Sequence, residues 1–385
     1  MTEATIFVPF LTAFGGVERL VLSLSKFLHE NRSPHRVCCF CDAIDLASYA
    51  DWPLKVEAIR APRNPLREAW ALNRLLRENR SSSGPPVLIF DLNGAFYAGL
   101  FAPAGYCLHL TDPPSLLPTD LSKWAWSSRK ADVFPLERAD VSVGRKLWAE
   151  AVHRINRRGV RKAATVIAMT HAIKVELECL YGVEANVIRP GVRTDSWQPA
   201  RQVAANEPMR LLSVSRLESN KRLDWILDAL SASESASAPF GGTVSWELDI
   251  VGSGTQEEPL KRLAHELGVS ARTHFHGRVS DADLDAIYRR ASIFLMPARQ
   301  GYGLPALESL GRGLPVILNK DSGVSEILEG TPWAEICDGG SASLQRAILS
   351  MNARILGSEI TPQTLPKVPT EAEWAQSIVA ACRWG

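Results

Sequence analysis

In the segment Ile293–Glu308, IFLMPARQGYGLPALE, an apolar run ends at Met296-Pro297 and a Gly-x-Gly turn follows. The turn leads into a helix expected to begin at Pro305, and proline suits a first helical position because its missing N–H has no intrahelical partner there. Glycines at 301 and 303 let backbone approach a ligand closely. The N–H groups around Gly303 and Leu304 would then point out of a helix N-terminus, which is an anion site. Glu308, expected in the first turn, carries two oxygens able to accept both hydroxyls of a ribose. The plainer account is a strand–turn–helix with a favourable acid in its first turn.

A second group is Leu212–Lys221, LSVSRLESNK, followed by Arg222. Arg216 and Lys221 follow a strand's carboxyl end and can grip a diphosphate, the guanidinium as a fork and the ammonium as a point charge. A solvated pair is the alternative, at a modest cost, since helix N-termini disfavour cations. Phe14–Arg19, FGGVER, places a Gly-Gly turn before an amphipathic helix, a common arrangement that is weak as a lone signal. Asp249–Gly254, DIVGSG, opens like a dinucleotide fingerprint but has Glu257 where the third glycine belongs, so a structural turn accounts for it better. His109 closes the apolar run YCLHLTD and is expected to point toward an interdomain cleft.

These groups need strands and helices to hold them. Short apolar runs alternate with amphipathic stretches throughout, the pattern of open parallel α/β sheets. Expected strands are Thr5–Pro9, Arg36–Phe40, Val56–Ile59, Val87–Asp91, Tyr106–Leu110 and Ala164–Met169, then Arg210–Val214, Glu247–Val251, Thr273–His276, Ile293–Met296 and Pro315–Leu318. Val17–Leu28 has helical periodicity, as does Glu371–Trp384. Pro199–Pro208, PARQVAANEP, reads as an interdomain linker, and Ser231–Gly242 as a surface loop. The expected organisation is therefore domain 1–199, domain 200–370, and a C-terminal helix at 371–385 packing back toward the first domain. Two doubly wound domains would bind a ligand in the cleft near the carboxyl ends of their strands.

Composition is ordinary for a soluble enzyme, with 46% hydrophobic and 22% charged residues and a formal net charge of +1. That balance argues against a general nucleic-acid binder. The charge is uneven: residues 1–199 hold 25 Lys+Arg against 20 Asp+Glu, and the rest hold 18 against 22. Seven cysteines form neither a disulfide nor a zinc pattern, and are read as buried thiols in a reducing compartment. No secretory signal or membrane span is recognisable, so a cytoplasmic location is expected.

Taken together, these segments resemble glycosyltransferase family 4, retaining transferases of the GT-B fold. VIRPGVRTDSW (187–197), SVSRLESNKRLD (213–224), DIVGSG (249–254), FHGRVSDADLDAIYRRASIFLMPA (275–298) and GYGLPALESLGRGLPVI (301–317) carry the likeness, with Gly15-Gly16 and His109 in the first half. The resemblance implies two Rossmann-like domains facing a central cleft, the first binding an acceptor and the second a nucleotide-diphosphate sugar. It implies that Gly15 and Gly16 bring backbone to the donor diphosphate and that Arg216 and Lys221 bind its phosphates. Arg278 and Val279 would meet the base, and Gly301, Tyr302, Gly303 and Leu304 the phosphate or sugar. Glu308 would bind the ribose, and His109 would lie near the transferred sugar. One position departs: the first Glu of the family's Glu-x7-Glu motif is Gln300 here. Gln keeps the hydrogen-bonding shape and loses the charge, which leaves open an altered donor choice, a second carboxylate, or a binding protein with weak or no transfer.

The expected reaction moves a hexose from a UDP- or GDP-sugar to a hydroxyl of a glycan or lipid-linked glycan in cell-surface polysaccharide synthesis. No Asp-x-Asp metal site is evident, so no metal or other cofactor is expected. Residues 121–162 hold 11 Lys+Arg against 4 Asp+Glu, with Trp124, Trp126 and Trp148 among them. Such a face can rest on an anionic membrane, bind an acidic glycan, or simply be solvated.

Overall fold

The computed structural model describes residues 3–59, 64–116, 143–193, 208–232 and 245–384. The chain divides into two compact units, Met1–Pro190 with Glu371–Gly385, and Gly191–Thr370. The expected linker at 199–208, apart from Pro208, lies outside the described residues, as do residues 233–242 of the expected surface loop.

The first unit is a parallel sheet of β1 (Ala4–Phe7), β3 (His35–Cys39), β5 (Val56–Ala58), β6 (Leu88–Phe90), β7 (Cys107–Leu110), β8 (Thr165–Ala168) and β9 (Asn186–Val187). Their order is β5-β3-β1-β6-β7-β8-β9, and β2 (Phe10–Leu11) pairs separately with β4 (Cys41–Asp42). Strands β1, β6 and β7 are buried at every position, as continuous apolar runs covered by helices on both faces should be. Helices α1 (Gly16–Glu30), α2 (Pro65–Ser81), α3 (Asp91–Phe101), α4 (Val143–Lys162) and α5 (His171–Tyr181) connect them. Local signals fix the helix ends: Asn64 accepts from Leu66 N and Arg67 N at the start of α2, and Gly182 takes a left-handed conformation after α5. The C-terminal helix Glu371–Cys382 belongs to this unit, burying Trp374 and Ile378, and Trp384 beyond it donates to Pro86 O at 2.7 Å.

The second unit is a parallel sheet of β10 (Met209–Val214), β11 (Trp246–Val251), β12 (Thr273–Gly277), β13 (Ile293–Met296), β14 (Val316–Asn319) and β15 (Ala334–Cys337), in the order β12-β11-β10-β13-β14-β15. Helices α6 (Leu223–Ala232), α7 (Glu257–Glu266), α8 (Asp281–Arg290), α9 (Leu304–Gly311), α10 (Ser325–Leu328) and α11 (Ser341–Leu356) alternate with the strands. The core joins Leu211, Leu248, Ile293 and Ile317 of the sheet to Ile226, Leu230, Leu344 and Ile348 of α6 and α11. From β10 the chain winds one way to β11 and β12, then returns to β13 and winds the other way. The switch point therefore lies between β10 and β13, the place at the strands' carboxyl ends where open α/β sheets bind ligands. In the first unit it lies between β1 and β6.

The strands fall where expected to within a residue or two. Four were not anticipated: β15, an edge strand interrupted by Glu335, and the two-residue strands β2, β4 and β9. Asp91 is not the last residue of a strand. It opens α3 with φ of 62°, a left-handed value unusual for an aspartate.

Candidate functional site

Strands β10 and β13 are neighbours, so the loops leaving their carboxyl ends run side by side and are tied together. Arg299 N donates to Asn220 O at 2.8 Å, and Asn220 Nδ2 returns a bond to Arg299 O at 3.1 Å. Arg222, held at φ of 53°, pairs with Asp321 Oδ2 at 2.6 Å and reaches Pro297 O at 3.4 Å, which adds the loop after β14. This arrangement carries Lys221 to Gln300: the ammonium donates to Gln300 Oε1 at 2.6 Å. Gln300 Nε2 faces inward to Met296 Sδ at 3.0 Å and Ser322 Oγ at 3.3 Å, while Ser322 Oγ donates to Tyr302 O at 2.9 Å.

Gly303 closes this cluster. Its φ is 125°, and a Cβ there would lie 2.7 Å from both Gln300 Nε2 and Met296 Cε. Glycine is required here twice over, by conformation and by crowding. Leu304 then starts α9, with Gly303 as the residue before it and no side chain capping the helix. A correction follows for two positions. Pro305 is the second helical residue, and Glu308 is the fifth, half-buried and beyond the first turn, because the helix takes up Leu304 before the proline.

The other residues expected at this site stand at the same end of the sheet. Arg216 is exposed after β10 and has no side-chain partner among the described residues. Arg278, exposed after β12, donates from Nε to Ser253 Oγ at 3.1 Å, and Val279 beside it is half-buried. Gly301 and Tyr302 are buried between Gln300 and α9. The DIVGSG turn has the structural role expected of it. Gly252, at φ of 128°, sits so close to Ser215 O that a side chain has no room, and Leu217 N bonds Ser253 O at 3.0 Å. The turn after β11 thus supports the loop that carries Arg216.

In the first unit, Gly15 and Gly16 start α1, and a Cβ on Gly16 would meet nothing within 4 Å, so the space over this turn is open. His109 differs from expectation. It does not point out of the sheet but is 0% exposed in β7, stacked on Phe90 at 4.9 Å and edge-on to Trp374 at 6.1 Å. Neither ring nitrogen has a hydrogen-bond partner among the described residues, and burial lowers its pKa to about 3, so the ring is neutral. The tryptophan that covers it comes from the C-terminal helix, which a local sequence reading could not place against β7.

Two family descriptions match the chain nearly end to end: "Glycosyltransferase Family 4" over residues 14–196 and "Glycosyl transferases group 1" over residues 197–351. The chain belongs to the GT-B glycosyltransferases. Among curated relatives it is 29% identical over 205 residues to a glycogen synthase of Mycobacterium tuberculosis, covering 52% of this chain and 48% of the relative. It is 30% identical over 168 residues to a GDP-mannose-dependent alpha-(1-6)-phosphatidylinositol monomannoside mannosyltransferase of the same organism, covering 40% and 42%. The matches thus span less than half of each relative. Over nearly the whole chain the fold is shared with the lipopolysaccharide outer core galactosyltransferase WaaB (TM-score 0.67, 16% identity, 98% of both chains). It is also shared with Anabaena Alr3699/HepE in complex with UDP-glucose (TM-score 0.66, 17% identity, 99% and 95%).

This glycosyltransferase also has a feature that sequence reading missed. A cavity of about 350 Å³ opens at the switch point of the first sheet, lined by Pro9, Thr12, Val17, Glu18, Asp91 and Asn93. Asp91 accepts from the hydroxyl of Thr111 and from Thr111 N at 3.3 Å. Burial raises its carboxyl pKa to about 7 against the opposing pull of the Thr111 bond. The available signal was an acidic residue directly after the apolar run LIF. Five of the seven thiols are buried as expected, while Cys41 and Cys179 are only half-buried. Burial pushes Cys38 and Cys39 up to about 12, which leaves them unreactive. Among the described residues, no group of three or more His, Cys, Asp or Glu is placed to hold a metal ion, and no helix is long and apolar enough to cross a membrane.

Proposed function

We propose that this glycosyltransferase is a retaining, metal-independent hexosyltransferase that moves a sugar from a UDP- or GDP-sugar to a hydroxyl of a glycan or lipid-linked glycan in cell-surface polysaccharide synthesis. The observation that supports this best is the joining of Lys221, Gln300 and the uncapped start of α9 at the β10/β13 switch point. The chemistry needs little else. Departure of a nucleoside diphosphate leaves negative charge on its outer phosphate, and an oriented cation beside backbone N–H groups stabilises that charge without reorganising.

In this reading Lys221 and Arg216 take the diphosphate, with the amides of Gly303 and Leu304. Glu308 takes the ribose, and Arg278 with Val279 the base. Gly15 and Gly16 offer open backbone. The acceptor hydroxyl attacks the face from which the phosphate departs, through an oxocarbenium-like state, and its proton passes to the departing phosphate oxygen. His109, buried beneath Phe90 and Trp374, is given no part in proton transfer.

On the acceptor side, α4 exposes Val143, Leu147 and Trp148 near its start and Arg154, Arg157, Arg158 and Arg161 further along. Apolar side chains beside arginines suit a peripheral position on an anionic membrane, where a lipid-linked acceptor would reside. Trp124, Trp126 and residues 117–142 lie outside the described residues.

The test is nucleoside diphosphate release from a panel of UDP- and GDP-sugars in the presence of a chelator, with vesicles carrying the acceptor. Lys221-dependent release is expected. A second reading, a nucleotide-sugar-binding protein with weak or no transfer, is favoured by Gln300 standing where the family has Glu. Binding of a nucleotide sugar without release of nucleotide would select it.

A further inference from the structure

The hydrogen bonds around Gln300 admit only one orientation of its amide. Ser322 Oγ is committed as a donor to Tyr302 O, so it must accept from Gln300, and Met296 Sδ can only accept. Both inward contacts therefore need the NH2 end, which leaves Oε1 as the atom turned to Lys221 Nζ. Ser322 is 0% exposed and Met296 4%, so water does not offer substitute donors beneath the amide. A glutamate here would place an oxygen against two acceptors, and its other oxygen would hand Lys221 a full counter-charge. The contacts beneath the side chain fit an amide.

We infer that Gln300 is a neutral positioning residue for Lys221: it fixes the ammonium by a short hydrogen bond while adding no negative charge beside it. The site is thereby one unit more positive than with glutamate at the same position, whatever other groups Lys221 meets. The ligand that gains is a polyanion, the diphosphate of the donor and of the released nucleotide. This rests on the reading that Lys221 binds that diphosphate.

Calorimetric titration of UDP and GDP, at low and high salt, into wild type, Gln300→Glu, Gln300→Met and Lys221→Met tests it, with circular dichroism to confirm folding. In Gln300→Glu, affinity for the preferred diphosphate should fall by about tenfold or more, since a unit charge this close interacts strongly at a protein surface. The salt dependence of binding should flatten, because fewer net charges are engaged. Gln300→Met loses the grip but stays neutral, so it should lose less affinity and keep the wild-type salt dependence. A purely structural role would weaken both variants alike and leave the salt dependence unmoved, and that result overturns the inference, as does a Gln300→Glu protein that binds as tightly as wild type. If wild type binds diphosphates but Lys221→Met binds them equally well, the phosphate reading of Lys221 fails and this inference fails with it.

Discussion

Lys221 is the residue on which the proposed chemistry turns. Removing an oriented charge donor from a reacting site typically costs about 100-fold to 1,000-fold in turnover. Lys221→Ala should reach or exceed that loss while the thermal midpoint stays near wild type, because the side chain is only half-buried. Near-normal nucleotide release from that variant would remove Lys221 from the phosphate site. Gly303→Ala is a different experiment. Its φ of 125° and the 2.7 Å approach to Gln300 Nε2 and Met296 Cε put strain into the turn, so a loss of about 1–3 kcal/mol in urea unfolding is expected along with weaker nucleotide binding. His109 shows how far residue type alone can mislead. A histidine late in an apolar strand suggests an exposed ring, but its burial depends on a tryptophan from the other end of the chain. Its folded pKa of about 3 lies below the ordinary 6.5, so the unfolded chain takes up a proton that the folded chain refuses. The contribution of His109 to stability is thus constant above 6.5 and falls as pH drops toward 3, by at most about 1.4 kcal/mol per pH unit. His109→Phe should remove that dependence in thermal melts between pH 7 and 4. Melts that fall in parallel for both proteins would assign the acid sensitivity to other groups.

At the scale of elements, what the sequence made legible was what local pattern controls. Continuous apolar runs announced the buried parallel strands, and Gly-x-Gly before Leu-Pro announced the start of α9, with an error of one residue that moved Glu308 out of the first turn. Strand β15 escaped because Glu335 interrupts it. Only the fold supplies the partner, Arg354 of α11, at 2.5 Å. Asp249 is a further case. It sits in an apolar strand, and its Oδ1 is met by His276 Nε2 at 2.6 Å from β12 and by Arg290 Nη2 at 2.7 Å from α8. Asp249 is buried, with half-buried His276 and exposed Arg290 as its partners, so Asp249→Ala loses charge-assisted hydrogen bonds and should cost about 1.5–3 kcal/mol in denaturant unfolding. A much smaller loss would mean that His276 and Arg290 find water or other partners.

For the whole molecule, the proposal that it binds a nucleotide-diphosphate donor has a direct test. The decisive measurement is simple. Melting the protein with UDP, GDP or ADP, with and without chelator, should raise its apparent stability by about 2.7 kcal/mol at a ligand concentration a hundredfold above Kd. The base with the largest shift identifies the donor class, and a shift abolished by chelator would contradict the metal-independent reading.

The reciprocal bonds between Asn220 and Arg299, and the reach of Arg222 to Pro297 and Asp321, have a practical consequence for redesign. The loops after β10, β13 and β14 are mechanically one piece. A donor preference grafted from another transferase by exchanging the Gln300 loop alone would arrive without the lysine loop that fits it. Successful transplants should therefore move residues 216–222 and 297–303 together, with Asp321 and Ser322.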